Sequence, residues 1–354
     1  MKMRKTIIIA LAAVVALASC TKAEKKDVAK ETPMTFKVIN YLQQTKANTA
    51  YTGDAFGTFA FWTATDWATD GDANVFMNND KIIYGPEYAQ GEWGPEQARF
   101  WTKTGKITFA SYSPYTSGAG NGFSEVPTFT KEDGFTFKNF TIPATGDIDL
   151  MVADLIADQT KNDPEYLLSN NTDGVPTLFR HVLSQISFEF KTSENPNPNV
   201  TASEIVIKSV TIKNINNEGT YTQNNSDVWG GETGTATYEY NDATNPITVK
   251  PGDAPVGTDV DNMILLPQEL VEGTQQIEIE YTIRTKYESN PEWAEENLTA
   301  TVDLVTTEIP EWLPNQSIVY TITINPVDAS VENAILFDPA VADWEVATSP
   351  AMSL

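Results

Sequence analysis

Gln276-Ile277-Glu278-Ile279-Glu280-Tyr281-Thr282-Ile283-Arg284 is the stretch that decides the fold class. Ile277, Ile279, Tyr281 and Ile283 share one parity and charged or polar groups hold the other, the alternation of a strand with one buried face. Residues 317–325 repeat it with Ile318, Tyr320, Ile322 and Ile324 inward, and residues 181–190 with Val182, Ile186, Phe188 and Phe190. Within 204–214 the phase changes, because Ile205 and Ile207 lie on one parity and Val210 and Ile212 on the other. That predicts a β-bulge near Ser209 or two short strands.

Earlier strands are expected over 35–41, 58–62, 106–112, 135–142 and 149–155. Turn chemistry lies between them and beyond, at Asp70-Gly71-Asp72, the Gly-rich run 117–122, Asp133-Gly134, Asn217-Glu218-Gly219 and Pro251-Gly252-Asp253. Helix signals are sparse, with a turn or two expected within 87–100 and 163–169. Many short strands joined by polar loops predict an all-β protein of two β-sandwich domains in tandem. The polar loop 169–176 sets their boundary, giving an N-terminal sandwich over 34–174 and a C-terminal one over 175–354.

The chain opens on Met1-Lys2-Met3-Arg4-Lys5, runs apolar through Ala18, and reaches Leu17-Ala18-Ser19-Cys20. A positive start, a short apolar stretch and small residues at the end mark a secretory signal over 1–19. The run is too short for a membrane-spanning helix of roughly 20 residues. The Leu-Ala-Ser-Cys ending resembles a lipobox, in which the Cys20 thiol is alkylated by diacylglycerol and becomes the first mature residue. Residues 20–33 are charged and lack large apolar side chains, the composition of a flexible tether. The expectation is a lipid-anchored protein of the outer membrane and cell surface.

The formal charge is −25, and signal cleavage removes three more cations, Lys2, Arg4 and Lys5. Such a field opposes binding to nucleic acid and to anionic membranes. Cys20 is the only cysteine, so no intrachain disulfide braces the fold, and stability has to come from buried apolar area. With 41% hydrophobic residues, among them 16 Phe, 13 Tyr and 8 Trp, there is enough for two cores.

Little in the chain points to chemistry. His181 is the only histidine and sits mid-strand on the parity of Leu183, Gln185 and Ser187, which suits a packed or rim residue better than a general base. Zinc sites built from His and Cys are excluded by count. Asp70-Gly71-Asp72-Ala73-Asn74 starts like a calcium loop, but Val75 and Lys81 occupy the positions that need Gly and Glu. Asp147, Asp149 and Asp154, and Asp259, Asp261 and Asn262, are oxygen clusters that could bind calcium in loops but read better as solvated polar groups of an acidic protein, and nothing marks two carboxylates as a glycosidase pair. No catalytic residue, metal or cofactor is therefore expected. Trp101, Trp312 and Trp344 lie in strand motifs and are expected in the core. Trp67 and Trp93 lie in polar loops, where exposed indoles would stack on sugars; an alternative reading is a monomeric, cell-surface glycan-binding lipoprotein.

Several segments resemble the fimbrillin family, the type V pilins and fimbrillin-like lipoproteins of Gram-negative anaerobes. Phe109-Ala110-Ser111-Tyr112-Ser113-Pro114-Tyr115 is similar to that family's "FxAYxPY" and Asp149-Leu150-Met151-Val152-Ala153 to its "DLMxA". Leu178-Phe179-Arg180-His181-Val182-Leu183-Ser184-Gln185-Ile186 resembles "LxFxHxLSKI", and Ile264-Leu265-Leu266-Pro267-Gln268 ahead of the opening stretch resembles "LxPQ…IxIxY". The closing segments 312–322 and 337–344 resemble its C-terminal strands. The resemblance implies two transthyretin-like β-sandwich domains. It also implies assembly with other pilin subunits by strand exchange, in which a protease removes the first strand and a strand of another subunit fills the groove. Here the candidate strand is 35–41, with Phe36 and Val38 inward. Stalk pilins of the family are cut after an arginine near that strand, whereas this chain has none between Arg4 and Arg99, leaving Lys37 or Lys46, another protease, or no processing. An unprocessed member would be an anchor, tip or accessory subunit, with a host or bacterial surface ligand.

Overall fold

The computed structural model describes residues 33–39, 54–70, 73–85, 93–160, 174–223, 228–258, 260, 262–326 and 335–344. Among these the protein is all-β. The signal peptide, residues 20–32 of the tether with Cys20, and Lys46 lie outside the described residues.

The first sheet is built from β1 (Phe36–Ile39), β2 (Ala55–Thr63), β3 (Asn74–Tyr84), β4 (Trp93–Pro95) and β5 (Lys106–Ser113). After β6 (Thr128–Thr130) and β7 (Gly134–Thr141), the chain returns to it through β8 (Met151–Ala153), β9 (Ile156–Gln159) and β10 (Val175–His181). Its order is β2-β3-β4-β1-β10-β8-β5-β9, and β2 also pairs with β5, so the sheet closes into a ring. Pairing within the ring is antiparallel except between β1 and β10, which run parallel. Inside it Phe36, Phe56, Ala60, Met77, Ile82, Ile107, Phe109 and Val175 form a core of their own.

The second half contributes β11 (Ser184–Thr192), β12 (Val200–Ile215), β13 (Glu218–Thr222), β14 (Val228–Thr233), β15 (Ala236–Asn241), β16 (Ile247–Val249), β17 (Val256–Gly257) and β18 (Met263–Leu265). It ends with β19 (Gln268–Glu269), β20 (Gln276–Tyr287), β21 (Asn290–Asp303), β22 (Glu311–Trp312), β23 (Gln316–Ile324) and β24 (Ile335–Asp343). One sheet runs β17-β11-β23-β24 and another β15-β12-β20-β21. Ile186, Phe188, Phe190, Ile318, Tyr320 and Ile322 of the first belong to the same buried cluster as Ile205, Ile207, Ile277, Ile279, Tyr281 and Ile283 of the second. The strands with alternating parity are therefore those whose one face meets the other sheet across a sandwich core. The phase change in β12 is a register irregularity between Ile207 and Ser209, and the residues on both sides of it keep their apolar groups inside.

Two connections cross between the halves. β10, on the far side of the boundary loop, lies in the first sheet between β1 and β8. The β13–β14 hairpin pairs with β7, making a four-stranded sheet β14-β13-β7-β6 that covers the outside of the ring. Phe59 of β2 meets Phe129 and Phe135 there, and Tyr112 of β5 meets Phe135 and Phe137. β2 and β5 thus have apolar residues on both faces, one set in the ring and one under this sheet. The turn expected at Asn217-Glu218-Gly219 gives way to strand from Glu218 onward, because Glu218 and Gly219 pair with Thr141 and Phe140.

Candidate functional site

β1 is four residues long and is the piece that closes the ring. Phe36, Lys37, Val38 and Ile39 lie opposite Val175, Pro176, Thr177 and Leu178 of β10, and Phe36 is opposite Trp93 of β4. Just upstream, the Met34 N–H donates to the Arg99 carbonyl at 2.8 Å and Pro33 bridges to Phe100. Alternation puts Met34 and Phe36 on the inner side, where both are fully buried, while Val38 is half-buried against the same core. The Phe36 ring sits edge-on to Phe56 at 5.8 Å and to Phe109 at 5.6 Å between centroids. Phe56 in turn touches Trp93 and Phe179.

The bed has the features that a short strand needs. Gly174, at φ +125°, turns the chain into β10, and a Cβ there would stand 3.0 Å from the Phe36 backbone carbon. Arg99, next to the Phe100 bridge, grips Asp80 of β3 through two nitrogens at 2.6 and 3.1 Å. That hydrogen-bonded carboxylate pushes the Arg99 pKa further above its already high ordinary value.

Three expectations are corrected here. Trp67 and Trp93 are not exposed: they retain 8% and 7% of their surface. Trp93 belongs to β4, between β3 and β1, and its ring rests on Phe56 and Tyr84. The turn of helix expected across 87–100 is at Trp93–Pro95 a strand for the same reason. Trp67 is tilted against Phe61, and Lys131 covers it, with Nζ 5.0 Å from the ring centroid. The same ammonium donates to the Trp67 and Asp70 carbonyls. Trp312 is in the core as expected, whereas Trp101 and Trp344 are half-buried.

His181 is a rim residue at the end of β10. Its Nδ1 is 2.8 Å from Asp149 Oδ1, and its ring stacks on Trp344 at 3.9 Å and 8°. Asp147 accepts from the Thr145 hydroxyl and Asp154 pairs with Arg180, so these carboxylates serve separate partners. Asp259 and Asp261 lie outside the described residues. Among the described residues no three ligating side chains gather to hold a metal. Sequence reasoning reached Phe36 and Val38 but not their neighbours in β4 and β10, nor the meeting of His181 with Trp344; nothing in local periodicity encodes such distant pairings.

A family model described as fimbrillin-like matches residues 45–344, most of the chain. The chain belongs to the fimbrillin-like family. This fimbrillin-like chain is also similar in fold to a fimbrial protein from Bacteroides vulgatus, with a TM-score of 0.62 and 21% identity over 88% of this chain and 99% of that one. A candidate cell adhesion protein from Bacteroides uniformis aligns at 18% identity over 88% of this chain and 98% of its own, with a TM-score of 0.45. No curated protein matches the fimbrillin-like chain.

Proposed function

We propose that this chain is a non-enzymatic surface lipoprotein of adhesive pili, anchored in the outer membrane through Cys20, in which β1 is a replaceable strand. One observation carries the reading. β1 is a four-residue strand that closes an otherwise continuous ring, and its Phe36 fills an aromatic core separate from the larger one. Removing it would free the edges of β4 and β10 and uncover Phe56, Phe109, Trp93 and Phe179. An incoming strand with an apolar residue at the Phe36 position would restore both the backbone pairing and the packing. Cleavage within 40–53, where Lys46 is the only basic residue, would release β1; without cleavage the subunit would serve as an anchor, tip or accessory. The burial of Trp67 and Trp93 leaves the monomeric glycan-binding alternative without its stacking platform.

The test is the intact mass and N-terminal sequence of protein sheared from the producing cells. A new N-terminus between Asn40 and Tyr51, no lipid, and a ladder of SDS-resistant multimers are expected if the subunit polymerises. An acylated Cys20 start with monomer alone would remove the stalk role. An unacylated start at another position, without multimers, would overturn the reading as a whole.

A further inference from the structure

Three segments singled out in the sequence, 149–153, 178–186 and 337–344, are far apart along the chain and meet at one contact. Asp149 precedes β8, His181 ends β10, and Trp344 follows β24. The imidazole lies flat on the indole at 3.9 Å and 8°, and its Nδ1 is 2.8 Å from Asp149 Oδ1. An Nδ1–H facing the carboxylate fixes the ring plane, so Asp149 aims the face that Trp344 covers. Backbone bonds continue the connection: Trp344 N–H donates to the Asn315 carbonyl at 3.0 Å, and Asn315 N–H donates to the Leu183 carbonyl at 2.9 Å.

Apart from its backbone ladder to β23, the strand that ends at this contact has few side-chain anchors near its tail. β24 is outermost in its sheet and pairs with β23 alone among the described strands. Ala340, Val341 and Ala342 are exposed, Val341 at 46%, whereas Trp344 packs against the main core. The neighbouring β23 is pinned by Ile318, Tyr320, Ile322 and Ile324, all fully buried.

We propose that Asp149, His181 and Trp344 form a latch that fastens the tail of the carboxyl-terminal strand to the first sheet. The tail of β24, already laddered to β23, gains this second hold only while β8 and β10 are in place, and its docking in turn steadies the end of β10. Coupling of this kind is reciprocal. It requires an intact first sheet and does not depend on whether β1 is exchanged.

Hydrogen–deuterium exchange on the full chain tests the latch. In Trp344→Ala and His181→Ala, peptides covering 335–344 should exchange about tenfold faster, the scale of one lost aromatic pair. Peptides covering 316–324 should keep their protection, and those covering 175–181 should loosen as well. Trp344→Phe, which keeps a ring against the imidazole, should retain most of the wild-type protection. In the wild-type protein the Cε1–H proton of the single histidine should resonate upfield through the indole ring current and return to its ordinary position in Trp344→Ala. Unchanged exchange over 335–344, an equal loss over 316–324, or no response over 175–181 would overturn the proposal. Should the alanine variants fail to fold, the wild-type histidine shift and the Trp344→Phe exchange still decide it: an ordinary shift or a full loss of protection rejects the latch.

Discussion

Phe36 meets Phe109 edge to face, with centroids 5.6 Å apart and ring planes at 88°, and this contact joins the first strand to β5 across the interior of the ring. Phe36→Ala should cost about 3–5 kcal/mol through lost transfer energy and the void left behind. Val38→Ala, at a half-buried position, should cost about 1 kcal/mol. Urea midpoints at constant slope measure both. A larger loss for Val38 than for Phe36 would mean that Phe36 is not the side chain of β1 that fills the ring.

Gly57 leaves room for a ring. A Cβ at this position would stand 2.2 Å from the Tyr112 ring and 2.8 Å from Asn79 Oδ1, to which the Tyr112 hydroxyl donates at 2.7 Å. Tyr112 is fully buried and has nowhere to retreat. Gly57→Ala should destabilise by about 3 kcal/mol, the upper part of the overpacking range, and calorimetry should show the lowered midpoint.

Trp312 Nε1 donates to the Tyr320 hydroxyl at 2.9 Å, and that hydroxyl donates to the Leu304 carbonyl at 3.2 Å, all in the second core. Tyr320→Phe keeps the ring and strands the indole N–H, so a loss of about 1–3 kcal/mol is expected. A double change with Trp312→Phe should cost less than the two single changes added together.

Burial lifts the phenols of Tyr112, Tyr238, Tyr240 and Tyr320 well above their ordinary range near 10. In the folded protein they hold protons that the unfolded chain would release. Their contribution is complete below about pH 10 and declines as pH rises beyond it, because the unfolded state then binds fewer protons. Absorbance at 295 nm should show a late group of tyrosines that ionises together with the loss of near-ultraviolet dichroism. Titration of all 13 tyrosines in one step near 10, with the dichroism intact, would contradict it.

Trp67→Ala and Trp93→Ala should each lower stability by about 3 kcal/mol or more, as truncation of a buried indole does. Binding to polysaccharide columns should not change in either variant while it remains folded.

The alternating strands were legible because one face of each meets an opposing sheet, so Ile277, Ile279, Tyr281 and Ile283 declare their burial by position alone. The bulge at Ser209 could be read from the shifted parity around it. The role of Trp93 could not, because β4 is three residues long and Trp93 itself is flanked by Gly91, Glu92, Gly94 and Pro95, which carry a loop's composition. Trp67 misled for a different reason: its cover comes from Lys131, a residue whose own sequence context gives it no reason to lie over an indole. The parallel match of β1 with β10, and the hairpin of the second half laid on β7, depend on pairings more than 70 residues apart along the chain, beyond what any local pattern records.

β11 and β23 lie side by side in parallel, from Gln185 opposite Ser317 to Thr192 opposite Ile324. Ser184, where the chain leaves the first sheet, and Ile324, where β23 ends, therefore stand at opposite ends of one ladder. Tension applied between these two points would draw the strands past each other and strain all the rungs together, whereas an antiparallel pair pulled from adjacent ends would give way rung by rung. Between those two points the second sandwich resists in shear.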